Sequence, residues 1–406
     1  MNWGMRDKCI KKYIYLIYPL AVFIYFLHLF FSSVRTGVAL TFVLALGAVG
    51  ICVLGYFTVH TTEDKIFTVY LLYNLISGVW CVYYGMPVSV FLGEVSTTAL
   101  PMVFYYAGRR FDDTEAEGFY HSFILAALFM GGIGAVLNIW APQFYLDFSY
   151  DNSFISVADA QTARVRMESL IGSGAMGCFA AYSMCASAFF LTKKDRKKRI
   201  TGIVYMLLSL LFTFMANQRS AMFSVILMLV FFNIVVFHTE NGLHKRYLWI
   251  ETAAIAAFLA GIFIFAREIF DKFWIRLASI PSGFGERTGF WVNVVNRTHN
   301  IWLGDGLGSR GHRAAEYQQY IVADGGLVKL YVEMGLIGTS LIIFVVSLVY
   351  IKSIKKLNKV IAEIAIITSA ILMSIGSNVL EIELCAPIVY MALGRAVKKL
   401  NEVDIT

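Results

Sequence analysis

Charged residues are scarce in this chain: Asp, Glu, Lys and Arg make up 15% of its 406 residues, whereas 58% are hydrophobic. A soluble domain carries roughly 25% charged and 45–50% apolar residues, so the composition excludes an ordinary soluble protein. Apolar stretches of about 20 residues recur from end to end, and that length selects membrane-spanning helices over the short alternating strands of a β-barrel. We therefore predict an all-α, polytopic membrane protein with a single integral membrane domain over residues 1–406.

Further absences narrow the possible functions. The six cysteines show no CxxC spacing and no neighbouring histidine cluster, so we interpret them as small buried hydrophobic residues. The net charge of +7 does not indicate nucleic acid, because the basic residues lie in short runs at the ends of apolar stretches. The first apolar stretch lacks a small-residue cleavage site, so no cleavable signal peptide is expected. No DxD-type cluster stands in the predicted outer loops, so we expect neither a metal nor another cofactor.

The lysine and arginine runs predict the topology. We predict about twelve spans, at 14–31, 38–57, 66–84, 88–107, 119–141, 169–191, 200–216, 221–237, 247–266, 326–351, 360–375 and 384–393. If the spans alternate, the basic runs at 6–12, 109–110, 193–199, 245–246, 352–359 and 395–399 all fall on one face. The positive-inside rule makes that face cytoplasmic, together with both termini. A medium loop (142–168), a tight turn (217–220) and a large loop (267–325) then lie outside the cytoplasmic membrane.

The predicted outer segments are unusually rich in arginine, although outer loops are normally poor in basic residues. They carry Arg164, Arg166, Arg219, Arg276, Arg287, Arg297, Arg310 and Arg313. Arginine binds phosphate bidentately and stays charged at any relevant pH, which favours a site for an anionic lipid headgroup, above all a pyrophosphate. Simpler roles stay open, namely a capped turn for Arg219, snorkelling for Arg164 and Arg166, an ion pair for Arg287, and solvated loop charges for the others.

Three glycines of the large loop, Gly304, Gly306 and Gly308, suit a backbone with positive φ that approaches a ligand closely. The motif is not the dinucleotide fingerprint, because its third glycine is misplaced and no strand–helix unit surrounds it. It is not a P-loop either, because no GK[ST] follows.

Other polar and aromatic residues of the large loop have two interpretations each. Trp291 and Trp302 suit interfacial anchors or sugar stacking, and His299 and His312 suit polar loop positions or proton transfer. Asp324 precedes a predicted helix, so it is a candidate either for an N-cap or for a catalytic carboxylate.

The order of these motifs resembles the O-antigen polymerases (Wzy), which share a superfamily with the O-antigen ligases. The residues that carry the resemblance are Arg287, Trp291, Gly304, Gly306, Gly308, Asp324-Gly325 and Glu333-Met334-Gly335-Leu336-Ile337-Gly338. Gln218-Arg219-Ser220-Ala221 resembles the family's short Arg-Ser/Gly element, and both Arg166-x10-Gly177 and Arg297-x10-Gly308 match its arginine–glycine spacing. Ligases carry a His-Asn pair where this chain has Asp324-Gly325, so the pattern is closer to the polymerases.

The resemblance implies a metal-independent glycosyltransferase of the bacterial inner membrane. It would transfer a glycan from undecaprenyl pyrophosphate to one new lipid-linked repeat unit, on the extracytoplasmic side. It implies catalytic roles for Arg287, Arg219, Asp324 and Glu286, the last two as candidate bases. It implies substrate contacts by Arg166, Arg164, Arg297, Trp291, Gly306, Gly308, His299 and Arg310. Expected partners are the lipid-linked donor and acceptor, membrane lipids, a chain-length regulator and a flippase.

Alternatives remain open at the level of the sequence. A ligase would keep the chemistry and use lipid A-core as the acceptor. A transporter of lipid-linked sugars would place charges inside its spans, whereas these spans look nearly free of interior charge, which favours surface chemistry over passage. The residues whose depth decides this point are Lys329, Glu333, Glu363, Glu381 and Glu383. A non-enzymatic scaffold would leave the outer arginines unexplained.

Overall fold

The computed structural model describes residues 3–31, 35–152, 166–239, 267 and 280–402, and these residues form helices and turns without a strand. The helices are α1 (Trp3–Phe30), α2 (Thr36–Val53), α3 (Thr62–Ile76), α4 (Gly78–Tyr83), α5 (Val88–Glu94), α6 (Leu100–Met102), α7 (Phe104–Arg110), α8 (Asp113–Trp140), α9 (Pro142–Asp151), α10 (Ser173–Leu191), α11 (Arg196–Ala216), α12 (Arg219–Thr239), α13 (Ile280–Val295), α14 (Gly326–Ser353), α15 (Ile361–Ser374) and α16 (Ala386–Asn401). A π-helical segment, Val95–Ala99, joins α5 to α6. The predicted all-α class is confirmed.

Among the described residues, eight helical segments are long and apolar enough to cross a membrane, and they coincide with eight of the predicted spans. The predicted eighth and eleventh spans are shorter apolar helices, Arg219–Val235 and Ile361–Ser374. The predicted ninth span, 247–266, lies outside the described residues. The predicted twelfth span belongs to α16, which buries Arg395 and is not among the helices that could cross.

Two predicted outer loops contain helices. The medium loop holds α9, and α13 lies within the large loop. The predicted tight turn is confirmed, since Asn217 ends α11 in the left-handed conformation and α12 begins at Arg219.

The chain forms two compact units, a first unit of Met1–Phe123 with Gly285–Thr406 and a second unit of Ile124–Phe284. In the first unit, α7 and α16 touch at the level of the backbone. A Cβ added at Gly108 would lie 2.1 Å from the Met391 carbonyl oxygen, and one at Gly394 would lie 1.9 Å from that of Tyr105. Small residues at such crossings let helices approach closely where apolar solvent offers no hydrophobic driving force.

Ion pairs join helix ends of the first unit whose basic residues were all predicted to share one face. They are Lys11–Glu115, Arg109–Asp64, Lys352–Glu63 and Arg395–Glu363. Arg395 also pairs with Asp113 of α8, and Lys398 of α16 donates to the carbonyl oxygen of Arg110 of α7, so these pairs lie together at one end of the unit. The opposite end of α14 begins at Gly326, directly after the large loop.

The prediction that the spans are nearly free of interior charge is wrong. Asp64, Glu94, Lys329, Glu333 and Glu363 all lie in helices of the first unit, and none is more than 3% exposed. An ionised group buried in an apolar environment is costly unless it is paired. Each of these side chains has an ionic partner within the unit.

The second unit is built around α10, whose sequence is rich in Ala, Ser and Gly and which is buried along most of its length. Its small side chains allow close packing against α11, where the hydroxyl groups of Ser183 and Ser209 lie 2.7 Å apart. A Cβ added at Gly131 of α8 would lie 2.4 Å from the Phe212 ring of α11.

Candidate functional site

An exposed ion pair stands where the large loop enters α14. Arg287, on α13, donates from Nη2 to Asp324 Oδ2 at 2.9 Å and from Nη1 to the Gly376 carbonyl oxygen at 3.1 Å. Trp291 donates from Nε1 to the Asp324 carbonyl oxygen at 2.7 Å. Residues four apart share a helix face, so one face of α13 binds both the side chain and the main chain of Asp324.

Asp324 does not cap α14, because the N-cap is Gly325 and no side chain bonds to the first turn. Gly325 has φ 127°, and a Cβ there would lie 2.8 Å from Trp291 Nε1, so the contact with the indole requires glycine. The side chains of Arg287 and Asp324 are 37% and 52% exposed. An exposed ion pair contributes about 0–1 kcal/mol, so an anionic ligand can displace Asp324 from Arg287 at little cost.

Trp291 itself is buried, at 9% exposure, in a small core with Val294, Val322 and Val332. Trp291 therefore contacts Asp324 from this buried core, whereas Trp302 is 65% exposed. Stacking of a sugar on Trp291 stays a prediction.

The predicted positive φ values of the glycine motif are confirmed, at 75° for Gly304, 90° for Gly306 and 86° for Gly308. The close approach that they permit is to the protein's own helices. A Cβ at Gly304 would lie 2.3 Å from the Glu333 carbonyl oxygen, and one at Gly306 would lie 2.5 Å from that of Ser77. Substrate contacts by Gly306 and Gly308 stay predictions, and the geometry gives these glycines a structural role.

The segment 301–309, here called the glycine loop, supplies hydrogen-bond partners at a break in α14. Gly335 has φ 63° and interrupts the helix, which frees backbone groups on either side. The Gly306 N–H donates to the Glu333 carbonyl oxygen at 2.9 Å, and the Leu336 N–H donates to the carbonyl oxygen of Ile301 at 2.9 Å. In an apolar environment such groups must find partners, so the loop and the broken helix require each other.

Arg310 holds this loop together from inside. It is 3% exposed. Its Nε donates to Asp305 Oδ2 at 2.8 Å, its Nη1 to the Tyr320 carbonyl oxygen at 3.1 Å and its Nη2 to that of Arg297 at 2.9 Å. All three nitrogens of the guanidinium therefore have protein acceptors, and substrate binding by Arg310 stays a prediction.

Two other predicted substrate contacts, Arg297 and His299, lie just before the glycine loop. The guanidinium of Arg297 lies over the Tyr320 ring at 4.0 Å, a cation–π geometry. The His299 ring stacks on Tyr84 at 4.5 Å, and its Nδ1 is 3.2 Å from Asp305 Oδ1.

Sequence analysis singled out Lys329, Glu333 and Glu381 but did not predict that they form a buried charge cluster with Glu94 next to this loop. Lys329 Nζ is 2.6 Å from Glu94 Oε1, 2.6 Å from Glu381 Oε1 and 3.7 Å from Glu333 Oε1. We call these four residues the Lys329 cluster. Lys329 and Glu333 are one helical turn apart, so their pairing could have been predicted from the sequence. No residue near Glu94 in the sequence indicates its partner.

The π-helical segment that follows Glu94 has a local cause. Pro101 has no N–H and cannot donate to the carbonyl oxygen four residues before it, so the turn at Val95–Ala99 widens. Such bulges are frequent at functional sites. Thr98 Oγ1 donates to Glu94 Oε1 at 3.3 Å and thereby helps to hold this carboxylate toward Lys329.

A cavity of about 40 Å³ adjoins the cluster. Its walls include Tyr70, Asn74, Lys329, Glu333 and Glu381. Burial raises the pKa of Glu381 to about 7, against the opposing effect of Lys329.

In the second unit, the backbone brings the segments of two predicted arginines together. The N–H of Met167, next to Arg166, donates to the carbonyl oxygen of Met215 at 2.8 Å, just before the turn that leads to Arg219. Gly177 packs closely against the same turn, since a Cβ there would lie 2.6 Å from Gln218 Oε1.

The remaining predicted residues are placed as follows. Arg287 belongs to the first unit, whereas Arg166 and Arg219 belong to the second, and the binding of pyrophosphate by these arginines stays a prediction. Arg164 and Arg276 lie outside the described residues, and so does the side chain of Glu286, whose backbone is part of α13.

Comparison with family models of proteins gave no match for this chain, and comparison with curated proteins gave none either.

Proposed function

We propose that the protein is a polysaccharide polymerase of the bacterial inner membrane, which joins undecaprenyl-pyrophosphate-linked repeat units into O-antigen or a related surface polysaccharide. The observation that supports it most directly is the exposed Arg287–Asp324 pair, held by one face of α13 at the entrance to α14. The pair offers a cation for a phosphate and a carboxylate for a hydroxyl group. It stands at the end of the first unit away from the helix-end ion pairs.

The proposed topology has twelve crossings with both termini in the cytoplasm. The grouping of Lys11, Arg109, Lys352 and Arg395 at one end of the first unit is consistent with the positive-inside assignment. The Arg287–Asp324 pair then faces the extracytoplasmic side, where lipid-linked repeat units would be polymerised.

The proposed chemistry is the transfer of the growing glycan to the acceptor hydroxyl group. The bond between the anomeric carbon and the pyrophosphate oxygen breaks, and the leaving pyrophosphate gains negative charge. Arginines fixed in advance at that position stabilise the charge as it develops. Arg287 is the proposed cation of the first unit, Arg219 and Arg166 are the cations that the sequence suggested in the second unit, and Asp324 and Glu286 are the bases that the sequence suggested.

The test is an in vitro reaction of purified protein with a lipid-linked repeat unit, scored as a ladder of longer glycans. We expect Arg287→Ala to reduce elongation about 100-fold or more, as for loss of one donor to a developing oxyanion. Arg287→Lys should recover only part of the rate, because lysine lacks the planar fork.

The matched control is Arg110→Ala, an exposed arginine at the opposite end of the first unit, and it should elongate at the wild-type rate. A wild-type protein that forms no ladder but transfers glycan to lipid A-core would be a ligase. Wild-type elongation by Arg287→Ala would remove this residue from the site.

A transporter of lipid-linked sugars is a second candidate, favoured by the Lys329 cluster. Charged groups inside spans commonly mark ion or substrate pathways, and transporter sites use discontinuous helices such as α14. Proteoliposomes that carry a labelled lipid-linked repeat unit distinguish the two functions. A transporter would move the label between leaflets without lengthening it, whereas a polymerase would lengthen it.

A further inference from the structure

The cavity beside the Lys329 cluster is lined in part by the segments that hold the Arg287–Asp324 pair. Gly326 and Asn378 form part of its wall. Asn378 Nδ2 donates to the Ala323 carbonyl oxygen at 3.3 Å, and Arg287 donates to the nearby Gly376 carbonyl oxygen. Gly326, Asn378 and Glu381 are partly exposed, so this part of the cavity wall lies near the surface.

The deeper wall is rich in hydrogen-bond acceptors. Asn74 is 1% exposed, and its Oδ1 has no hydrogen-bond partner, while its Nδ2 donates to the Tyr70 carbonyl oxygen. A buried acceptor without a donor is costly, so this atom points to a ligand that carries an O–H or N–H group. Within the described part of the chain, no group of carboxylates, histidines or cysteines is arranged to hold a metal ion.

The volume limits the ligand. One water molecule needs roughly 10–15 Å³ of such space, so about 40 Å³ holds a hydroxyl group with one or two waters. A sugar ring does not fit. A ring at the Arg287–Asp324 pair could still place one hydroxyl group into the cavity.

Glu381 is the carboxylate of the cluster that a ligand can reach. Its side chain is 21% exposed, against 4% for both Glu94 and Glu333. Glu94 also accepts from Thr98, and Glu333 also accepts from the N–H of Arg310.

We propose that the mouth of this cavity, beside Glu381, binds the attacking hydroxyl group of the acceptor sugar while both sugar rings stay outside, and that Glu381 is the general base that takes its proton. The proposal rests on the proposed polymerase function and replaces Asp324 and Glu286 as the base. The hydroxyl oxygen forms a bond to the anomeric carbon of the donor glycan while its proton passes to Glu381. The bond to the lipid pyrophosphate breaks, and its electron pair leaves with the pyrophosphate.

The charge environment agrees with this role. Burial raises the pKa of Glu381 to about 7, and Glu94 adds to this effect, whereas Lys329 and Arg313 oppose it. Glu333 and Tyr390 also line the cavity and face the same group. A base whose pKa lies near the working pH combines a useful ionised fraction with adequate basicity.

The experiment compares Glu381→Gln with Glu383→Gln in the elongation reaction between pH 5.5 and 8.5. Glu383 lies in the same segment, but its carboxylate accepts from Thr41 Oγ1 and does not line the cavity. We expect the wild-type rate to rise with pH near pH 7, and we expect Glu381→Gln to lower kcat about 100-fold or more and to abolish this rise. Glu383→Gln should keep both the rate and the rise.

Glu381→Asp is the second variant, in case Glu381→Gln does not fold. Because it keeps a carboxylate, it should retain a reduced rate that still rises with pH. A wild-type rate in Glu381→Gln, or loss of the pH-dependent rise in Asp324→Asn instead, would overturn the assignment of the base and leave the polymerase function standing. A wild-type protein that elongates nothing would overturn both proposals.

Discussion

Replacement of Gly306 by alanine separates a structural role of the glycine motif from a substrate-binding one. Gly306 has φ 90°, and an added Cβ would lie 2.5 Å from the carbonyl oxygen of Ser77 and 2.6 Å from Cys81 Cβ. The unfavourable φ costs about 1–2 kcal/mol for a residue with a side chain. Displacement of packed backbone costs about 1–3 kcal/mol more. We therefore expect Gly306→Ala to lower the free energy of unfolding by about 2–5 kcal/mol.

The assay is the thermal unfolding midpoint in detergent, followed by tryptophan fluorescence at a fixed scan rate. Gly289→Ala is the matched control, because Gly289 lies on α13 with no atom within 4 Å of an added Cβ. Alanine is favoured over glycine in a helix by about 0.5–1 kcal/mol, so this variant should unfold at or above the wild-type midpoint. A Gly306→Ala protein with a wild-type midpoint but lost elongation would refute the structural role and support a substrate contact.

Two further predictions concern buried charge. Lys329→Met leaves the glutamates of its cluster without their ammonium partner and should lower the free energy of unfolding by about 3–5 kcal/mol, which is measured as a lower unfolding midpoint. Addition of Glu94→Gln to this variant should recover part of the loss. No recovery would contradict the electrostatic cause. Burial raises the pKa of Glu383 to about 7, so the folded state holds this proton longer than the unfolded chain and stability falls as pH rises toward 7. Glu383→Gln should therefore unfold at a higher temperature than wild type at pH 8 and at nearly the same temperature at pH 4.5, and equal midpoints at pH 8 would contradict the raised pKa.

Features that depend on local chemistry were predicted correctly from the sequence. Apolar length located eight helices that could cross a membrane, and the tight turn predicted at 217–220 is found where Asn217 ends α11. The positive φ values of Gly304, Gly306 and Gly308 were also predicted, because glycine alone adopts them without strain.

Features that depend on distant contacts could not be predicted. Lys329 and Glu94 are 235 residues apart in the chain, and an isolated glutamate in an apolar stretch gives no indication of its partner. The target of the glycine motif was missed for the same reason, since its neighbours are Ser77, between α3 and α4, and Glu333, on α14. A search for pairs of opposite charge inside spans, in place of counting charges in each span, would have found Lys329 and Glu333.

Two of the motifs that carry the family resemblance, the glycine motif at 304–308 and the segment 333–338, form one physical unit. Gly335 breaks α14 and exposes backbone groups that lipid cannot satisfy, and the glycine loop supplies their partners only because its glycines allow contact at the level of the backbone. The same contact fixes Glu333, whose carboxylate accepts from the N–H of Arg310, and hence the position of Lys329 one turn before it. A substitution in either motif should therefore disturb the cavity beside the Lys329 cluster as well as the glycine loop. Loss of activity in such a variant is then evidence for a substrate contact only when its unfolding midpoint is unchanged.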